Sequence, residues 1–288
     1  MKIADKWKDY SVISTGDGYK LERWGDVILL RPDPQVIWKA EKPLDEYKGI
    51  NAKYVRSESG GGEWRYLKDM PSEWVISYGK LKFKVKPMGF KHTGLFPEQA
   101  ANWETMSSLI KNAGREISVL NLFAYTGGAT VACLAAGASV CHVDASKGMV
   151  ERASENVRLS GLGDKNVRFI IDDCKKFVQR EIRRGRKYDA VIMDPPSYGR
   201  GPNGEMWKLE TELFPLVGLC AEVLSDDPLF FLINSYTTGL QPSVLDNILT
   251  LAVKKKIGKG RTDAYEVGLP TEDGIVLPCG AGGIYVND

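Results

Sequence analysis

The feature that most constrains this chain is an alternation that starts near residue 97. Five apolar runs, ISVLNLF, SVCHV, VRFII, YDAVIM and LFFLI, are separated by stretches of ten or more residues with helical character. Strands alternating with helices predict βαβ units and a parallel sheet. Right-handed crossovers then predict a doubly wound α/β fold. Sheets of this kind bind ligands outside the carboxyl ends of their strands, near the point where strand order reverses. The residues that follow each run are therefore the candidate site.

Ahead of this region the pattern differs. Six of the seven tryptophans precede residue 110. Short strands are expected at Tyr10–Ser14 and Val27–Leu30, and a hairpin from Trp74–Ser77 to Leu81–Val85 across Tyr78-Gly79-Lys80. The segment Glu58–Glu63 is expected to be a loop. A helix is expected after Pro97, carrying Gln99, Trp103 and Met106. These signals divide the chain into a small β-rich region, residues 1–88, with a possible role in recruiting substrate, and a larger α/β domain, residues 89–288.

Hydrophobic residues are 43% of the chain and charged residues 26%, as in globular proteins. No run approaches the ~18 apolar residues of a membrane span. The first ten residues have no apolar stretch behind their charges, so a cytoplasmic protein is expected. A net charge of +2 excludes a blanket basic coat, and any nucleic-acid partner would meet a local patch. Residues 1–90 carry 17 basic and 13 acidic side chains, a mild excess. The clusters Lys254–Lys256 with Lys259 and Arg261, and Arg180 to Lys187, fit solvated helix ends better than phosphate sites. The five cysteines are scattered and lack CxxC spacing, so no metal site is expected.

After the first run come Phe123, Ala124, Tyr125, Thr126, Gly127 and Gly128, then a helix. Glycines here allow backbone to approach a ligand at a helix N-terminus, although an ordinary strand–helix turn also often contains Gly. The pattern is not GxGxxG. Asp144, followed by Ala145 and Ser146, ends the second run about 20 residues past the turn. An acid there is placed to accept from ribose hydroxyls, and Asp144 or Ser146 equally suits a helix N-cap. Asp172 and Asp173 end the third run. Asp173 is the candidate acceptor for an adenine amine, with Phe177 to pack on the ring and Asp172 as the rival N-cap. The fourth run ends in Asp194-Pro195-Pro196-Ser197-Tyr198. Two prolines remove two amide donors, leaving an acceptor-only lip that suits an exocyclic amine. Tyr198 is available to stack on a base turned out of its strand. The fifth run is followed by Asn234–Gly239, with no cysteine.

Together these residues resemble a class I S-adenosylmethionine-dependent methyltransferase. VLNLFAYTGGATVACLAAGA and DPPSY, in that order, are similar to motifs of the large-subunit rRNA methyltransferase family, over residues 80 to 288. The resemblance implies a Rossmann-like, mostly parallel seven-stranded sheet with its last strand antiparallel. It implies S-adenosylmethionine as cofactor and a base in rRNA as acceptor. It assigns Phe123, Ala124, Tyr125, Thr126 and Gly127 to the methionine moiety, Asp144 to the ribose and Asp173 to the adenine. It places Asp194 and Tyr198, with Pro195 and Pro196, where methyl and acceptor meet. His92–Gln99 is similar to the family's entry segment, which adds Phe96 and Gln99 as cofactor contacts. Members that make 5-methylcytosine place a cysteine after the fifth strand. Here INSYTTG stands there, which favours an amine acceptor; Cys279 is the one thiol in a turn-rich context. A nicotinamide-dependent oxidoreductase and a non-catalytic RNA-binding protein on the same fold remain open on the residues alone.

Overall fold

The computed structural model describes residues 1–57, 61–89, 91–200 and 206–287. It contains two compact units, one formed by residues 2–101 and 268–279, the other by residues 102–267 and 280–288, with Met1. Counting Met1, the chain thus passes between units four times, where its composition suggests a single change near residue 88.

The N-terminal unit opens with β1 (Lys2–Ile3), β2 (Tyr10–Gly16), β3 (Tyr19–Trp24) and β4 (Val27–Pro32), and continues with β5 (Ala52–Arg56) and β6 (Gly62–Tyr66). Strands β2 to β6 form one five-stranded sheet in sequence order. The expected hairpin forms as β7 (Trp74–Tyr78) and β8 (Leu81–Val85), paired antiparallel. Gly62 and Glu63, expected in a loop, instead pair with Arg56 and Val55 as the start of β6. The loop's Glu58, Ser59 and Gly60 lie outside the described residues, as does Gly201. This unit buries charge as well as apolar surface. Arg31 donates to Glu22 through Nε (2.6 Å) and through a terminal nitrogen (2.7 Å), and the Tyr10 hydroxyl donates to Glu22 at 2.7 Å. Burial opposes this carboxylate, but Arg31 and Lys20 beside it hold Glu22 down to about 2.

After a 3₁₀ turn, α1 (Ala100–Asn112) leads into the second unit. There follow β9 (Ser118–Leu122), α2 (Gly128–Ala135), β10 (Ser139–Asp144), α3 (Lys147–Leu159), β11 (Val167–Ile171), α4 (Cys174–Arg183) and β12 (Ala190–Met193). A short hairpin, β13 (Tyr198–Arg200) and β14 (Met206–Lys208), precedes α5 (Leu209–Ala221), β15 (Phe230–Ser235) and α6 (Pro242–Leu249). A π-turn and the short α7 (Lys255–Ile257) then lead to β16 (Arg261–Pro270) and β17 (Val276–Val286).

The large sheet has the order β16-β17-β15-β12-β9-β10-β11, extended at the β16 edge by the two-residue β1. The central five strands run parallel and β17 runs antiparallel to β15. This is the doubly wound, seven-stranded arrangement implied by the resemblance. Strand order reverses between β9 and β12. Register assigns the two faces, because paired residues in neighbouring strands point the same way. Leu122, Val143, Met193 and Ile233 face one side, in a core completed by Phe177 of α4, Leu213 of α5 and Leu245 of α6. Asn121, His142, Ile192 and Leu232 form one row across the other side. Trp103 of α1 and the first turn of α2 cover that side, with Trp103 so close that a Cβ on Gly128 would lie 2.7 Å from its ring.

Candidate active site

The carboxyl ends of β9, β10, β12 and β15 converge beside the reversal point. After β9 the backbone enters the left-handed region three times in five residues, at Phe123 (φ 53°), Tyr125 (φ 50°) and Gly127 (φ 83°). Non-glycine residues there carry strain that the surroundings must hold. The holding bonds are specific. Phe123 N–H donates to Cys174 Sγ (3.3 Å), Ala124 N–H to the Val143 carbonyl (3.1 Å), and Tyr125 N–H to Asp144 Oδ2 (2.8 Å). Asn156 Nδ2 donates to the Thr126 carbonyl at 2.9 Å. Gly127 is required for space as well as φ, since a Cβ would lie 2.9 Å from Ala153 Cβ.

Asp144 therefore does two things. Its Oδ2 fixes the loop, and its Oδ1 accepts from Ser146 N–H at 2.8 Å as the chain turns into α3. The Ncap residue of α3 is Ser146, and its hydroxyl makes no capping bond. Each carboxylate oxygen keeps a further lone pair, so half-buried Asp144 retains the capacity to accept from a ribose. Ala145 and Ser146 are exposed at its rim.

At the third strand end the capping role falls on the other aspartate. Asp173 caps α4 by accepting from Lys176 N–H at 2.8 Å, while Asp172 is held by Arg180. Asp173 remains exposed, with acceptor capacity to spare. Phe177 does not reach a ligand: it is 2% exposed and packs in the core against α5. Helical periodicity explains this, because four positions after the cap the side chain turns back onto the sheet.

Asp194 is half-buried and Pro195 buried, while Pro196 and Tyr198 are exposed. The acceptor lip is narrower than the two prolines suggest. The Pro196 carbonyl accepts from Trp207 Nε1 (2.5 Å) and the Ser197 carbonyl from Leu209 N–H (3.1 Å). The Tyr198 hydroxyl donates to Met206 Sδ at 3.2 Å. Trp207 is the residue that sequence reasoning missed. Its ring lies 5.9 Å from that of Phe123, so it ties the hairpin to the glycine loop. Its signal was its isolation, as the seventh tryptophan and the only one in the α/β region beyond residue 110.

A polar chain also runs through the row beneath the loop. Asn121 Nδ2 donates to Thr130 Oγ1, which sits 2.9 Å from His142 Nδ1. Which of Thr130 Oγ1 and His142 Nδ1 donates depends on the imidazole tautomer, since the hydroxyl can accept from Asn121 and still either donate to or accept from the ring. Burial pushes His142 down to about 3, so it is neutral at physiological pH.

Phe96 and Gln99 belong to the N-terminal unit. Phe96 precedes the 3₁₀ turn Pro97–Gln99, its carbonyl accepts from Gln99 N–H (3.1 Å), and its ring lies 5.5 Å from His92. Burial, with Arg31 and Lys91 nearby, pushes His92 down to about 4. Burial raises every cysteine thiol, Cys133 and Cys174 to about 12 and Cys279 well above the usual thiol range. Cys279, also in the N-terminal unit, donates to the Leu277 carbonyl at 3.4 Å. Among the described residues no cluster of His, Cys, Asp or Glu is arranged to hold a metal, and no helix is long and apolar enough to cross a membrane.

Comparison with known proteins agrees with this geometry. Residues 31–207 match the model of the S-adenosylmethionine-dependent methyltransferase family. The crystal structure of the SAM-dependent methyltransferase from Agrobacterium tumefaciens superposes with a TM-score of 0.89 at 32% identity, covering 98% of this chain and 91% of that one. A ribosomal RNA large subunit methyltransferase K/L from Shewanella is 28% identical over 232 residues, covering 77% of this chain and 31% of the relative. Ribosomal RNA large subunit methyltransferase K from Neisseria meningitidis is 24% identical over 244 residues, covering 82% and 67%. The chain spans half or less of the first curated relatives it matches, 49% and 31%. These matches displace the nicotinamide alternative, and the cofactor they imply fits a strained loop held by Asp144 at a strand end. The chain belongs to the S-adenosylmethionine-dependent methyltransferase family.

Proposed function

We propose that this protein transfers a methyl group from S-adenosylmethionine to an exocyclic amine of a base in ribosomal RNA. When bound, the cofactor supplies a sulfonium methyl as electrophile. The chain's own residues have three tasks. Phe123–Gly127 and Asp144 hold the cofactor's methionine and ribose ends, and Asp173 accepts from its adenine. Asp194 accepts an N–H of the acceptor amine, which aims the nitrogen lone pair and gives the departing proton a base. Tyr198, exposed on its hairpin, stacks on the base. Phe96 and Gln99 are proposed as further cofactor contacts, and the mildly basic N-terminal unit as a recruiter of RNA. An RNA substrate of this kind places the work in the cytoplasm.

The observation that carries the reading is the strand-end carboxylate Asp194 followed at once by two residues without N–H groups, one strand away from the strained loop. Displacement at a methyl group depends mostly on positioning, which such an arrangement supplies. The names of the curated relatives support RNA as the acceptor. The test is transfer of labelled methyl from S-adenosylmethionine to rRNA purified from cells lacking the gene, with the modified nucleoside identified by mass spectrometry. Label on an exocyclic nitrogen is expected. Label on cytosine C5 would overturn the amine reading, and cofactor binding without transfer to any RNA would favour a non-catalytic role.

A further inference from the structure

The end of β15 carries a polar arrangement that the cofactor does not require. Asn234 is 4% exposed and follows four apolar residues near the end of the strand. Its Oδ1 accepts from Asn102 Nδ2 of α1 at 2.9 Å. Asn102 Oδ1 in turn accepts from the Tyr265 hydroxyl of β16 at 2.6 Å. Burial pushes Tyr265 well above its ordinary range, so this hydroxyl keeps its proton and remains a donor. The relay is built into the packing. Gly282 of β17 pairs with Asn234, and a Cβ there would lie 2.6 Å from the Tyr265 ring.

The relay fixes which way the Asn234 amide points. With Oδ1 committed to α1, the amide nitrogen is turned outward. It makes no hydrogen bond among the described residues, yet it is not among their sealed, unpartnered atoms, which are Trp24 Nε1, Thr93 Oγ1, His142 Nε2 and Asp246 Oδ1. It therefore faces solvent at the sheet edge. Ile233 is in register with Met193, so Asn234 and Asp194 are the next residues of adjacent parallel strands and project to the same face. A carboxylate acceptor and an oriented amide donor thus stand side by side.

We propose that Asn234 reads the acceptor base, donating to the ring nitrogen next to the exocyclic amine that Asp194 holds, with Asn102 and Tyr265 as positioning residues. The pair complements an amine beside a ring-nitrogen acceptor, the edge shared by adenine, cytosine and guanine. It rejects uracil, which has no amine. This inference rests on the amine-transfer reading above. A site built to hydrogen-bond one group discriminates against analogues lacking it, because its own donor is left unpaired.

The test uses the full-length protein and unmodified large-subunit rRNA transcripts. In three of them one amino base is replaced by a deaza analogue that keeps the amine and loses the adjacent ring nitrogen: 1-deazaadenosine, 3-deazacytidine or 3-deazaguanosine. Wild-type enzyme is expected to lose about tenfold or more in kcat/KM on one of the three. Asn234→Ala should show the same loss on the ordinary transcript and no further loss on that analogue, while calorimetry finds its S-adenosylmethionine affinity unchanged. Tyr265→Phe should show a smaller loss of the same kind. Full retention of the analogue penalty in Asn234→Ala, or wild-type kinetics in that variant, overturns the assignment. So does loss of cofactor affinity in both variants, which marks the relay as structural. Failure of the wild-type enzyme to methylate any transcript overturns the RNA reading, and this inference with it.

Discussion

Asp144 and Asp194 are both acids that end parallel strands, and the proposed function gives them separate roles. Asp144 is tied to the glycine loop and to the start of α3. Asp144→Ala should weaken S-adenosylmethionine binding about ten- to a hundredfold, the value of a charged acceptor losing its donors at roughly 1.5–3 kcal/mol. Unchanged affinity by calorimetry would remove Asp144 from the cofactor site. With Asp194 proposed to hold the acceptor amine, Asp194→Ala should abolish turnover with near-normal cofactor affinity. A variant that loses mainly cofactor affinity would move Asp194 to the cofactor site. The thiols bear on mechanism at the same scale. A nucleophilic cysteine acts as thiolate, and burial keeps all five protonated at neutral pH. No denaturant-stable adduct should form on RNA containing 5-fluorocytosine; an adduct lost in Cys279→Ala would restore cytosine C5 chemistry.

Among the elements, the β9–α2 loop is the one that stores strain. Three left-handed residues are held by bonds from β10, α3 and α4, so the loop's shape exists before any ligand arrives. Gly127→Ala introduces a side chain at φ 83° and against Ala153. About 1–2 kcal/mol of backbone strain is expected from the left-handed conformation alone. It should appear as roughly tenfold weaker cofactor binding by calorimetry and a lower melting temperature; a variant matching wild type in both would show that the loop is not held in this shape. The β13–β14 hairpin depends on tertiary contact instead. Its anchor, Trp207, reaches back eleven residues to the Pro196 carbonyl, a bond that no local pattern predicts.

Across the whole molecule, buried ionisable groups set the response to acid. His142 titrates at about 3 in the fold against 6.5 unfolded. Its folded value is depressed, so below pH 6.5 the unfolded chain binds a proton that the fold refuses, and stability falls as pH drops towards 3. At pH 5 the loss from this residue is about 2 kcal/mol. His92, at about 4, adds to it in the same direction. Glu22 acts lower: its stabilisation is present above its ordinary value of 4.5 and is lost as pH falls towards 2. Melting temperature should therefore decline from pH 7 to pH 5, and His142→Gln should flatten that decline even if it lowers the starting value. An unchanged slope in the variant would show that His142 is not buried neutral.

How much of this was legible in the chain follows from the range of the interactions involved. The alternation of apolar runs and helical stretches determined the doubly wound sheet, because periodicity is a local property and burial on both faces leaves long apolar strands. Position at strand ends likewise singled out Asp144, Asp173 and Asp194. Asn121 and His142 are polar residues inside apolar strands, and only the fold brings both of them to Thr130. Only the tertiary structure decided that Asp173 rather than Asp172 caps α4, that Phe177 is core, that the Pro196 carbonyl is already taken, and that Gly62 and Glu63 belong to a strand. Only it joined Tyr265 to Asn102 and Asn102 to Asn234, across 163 and 132 residues of sequence. A hydrogen bond acts over about 3 Å, and which groups come that close depends on packing between elements, which the order of residues along the chain does not display.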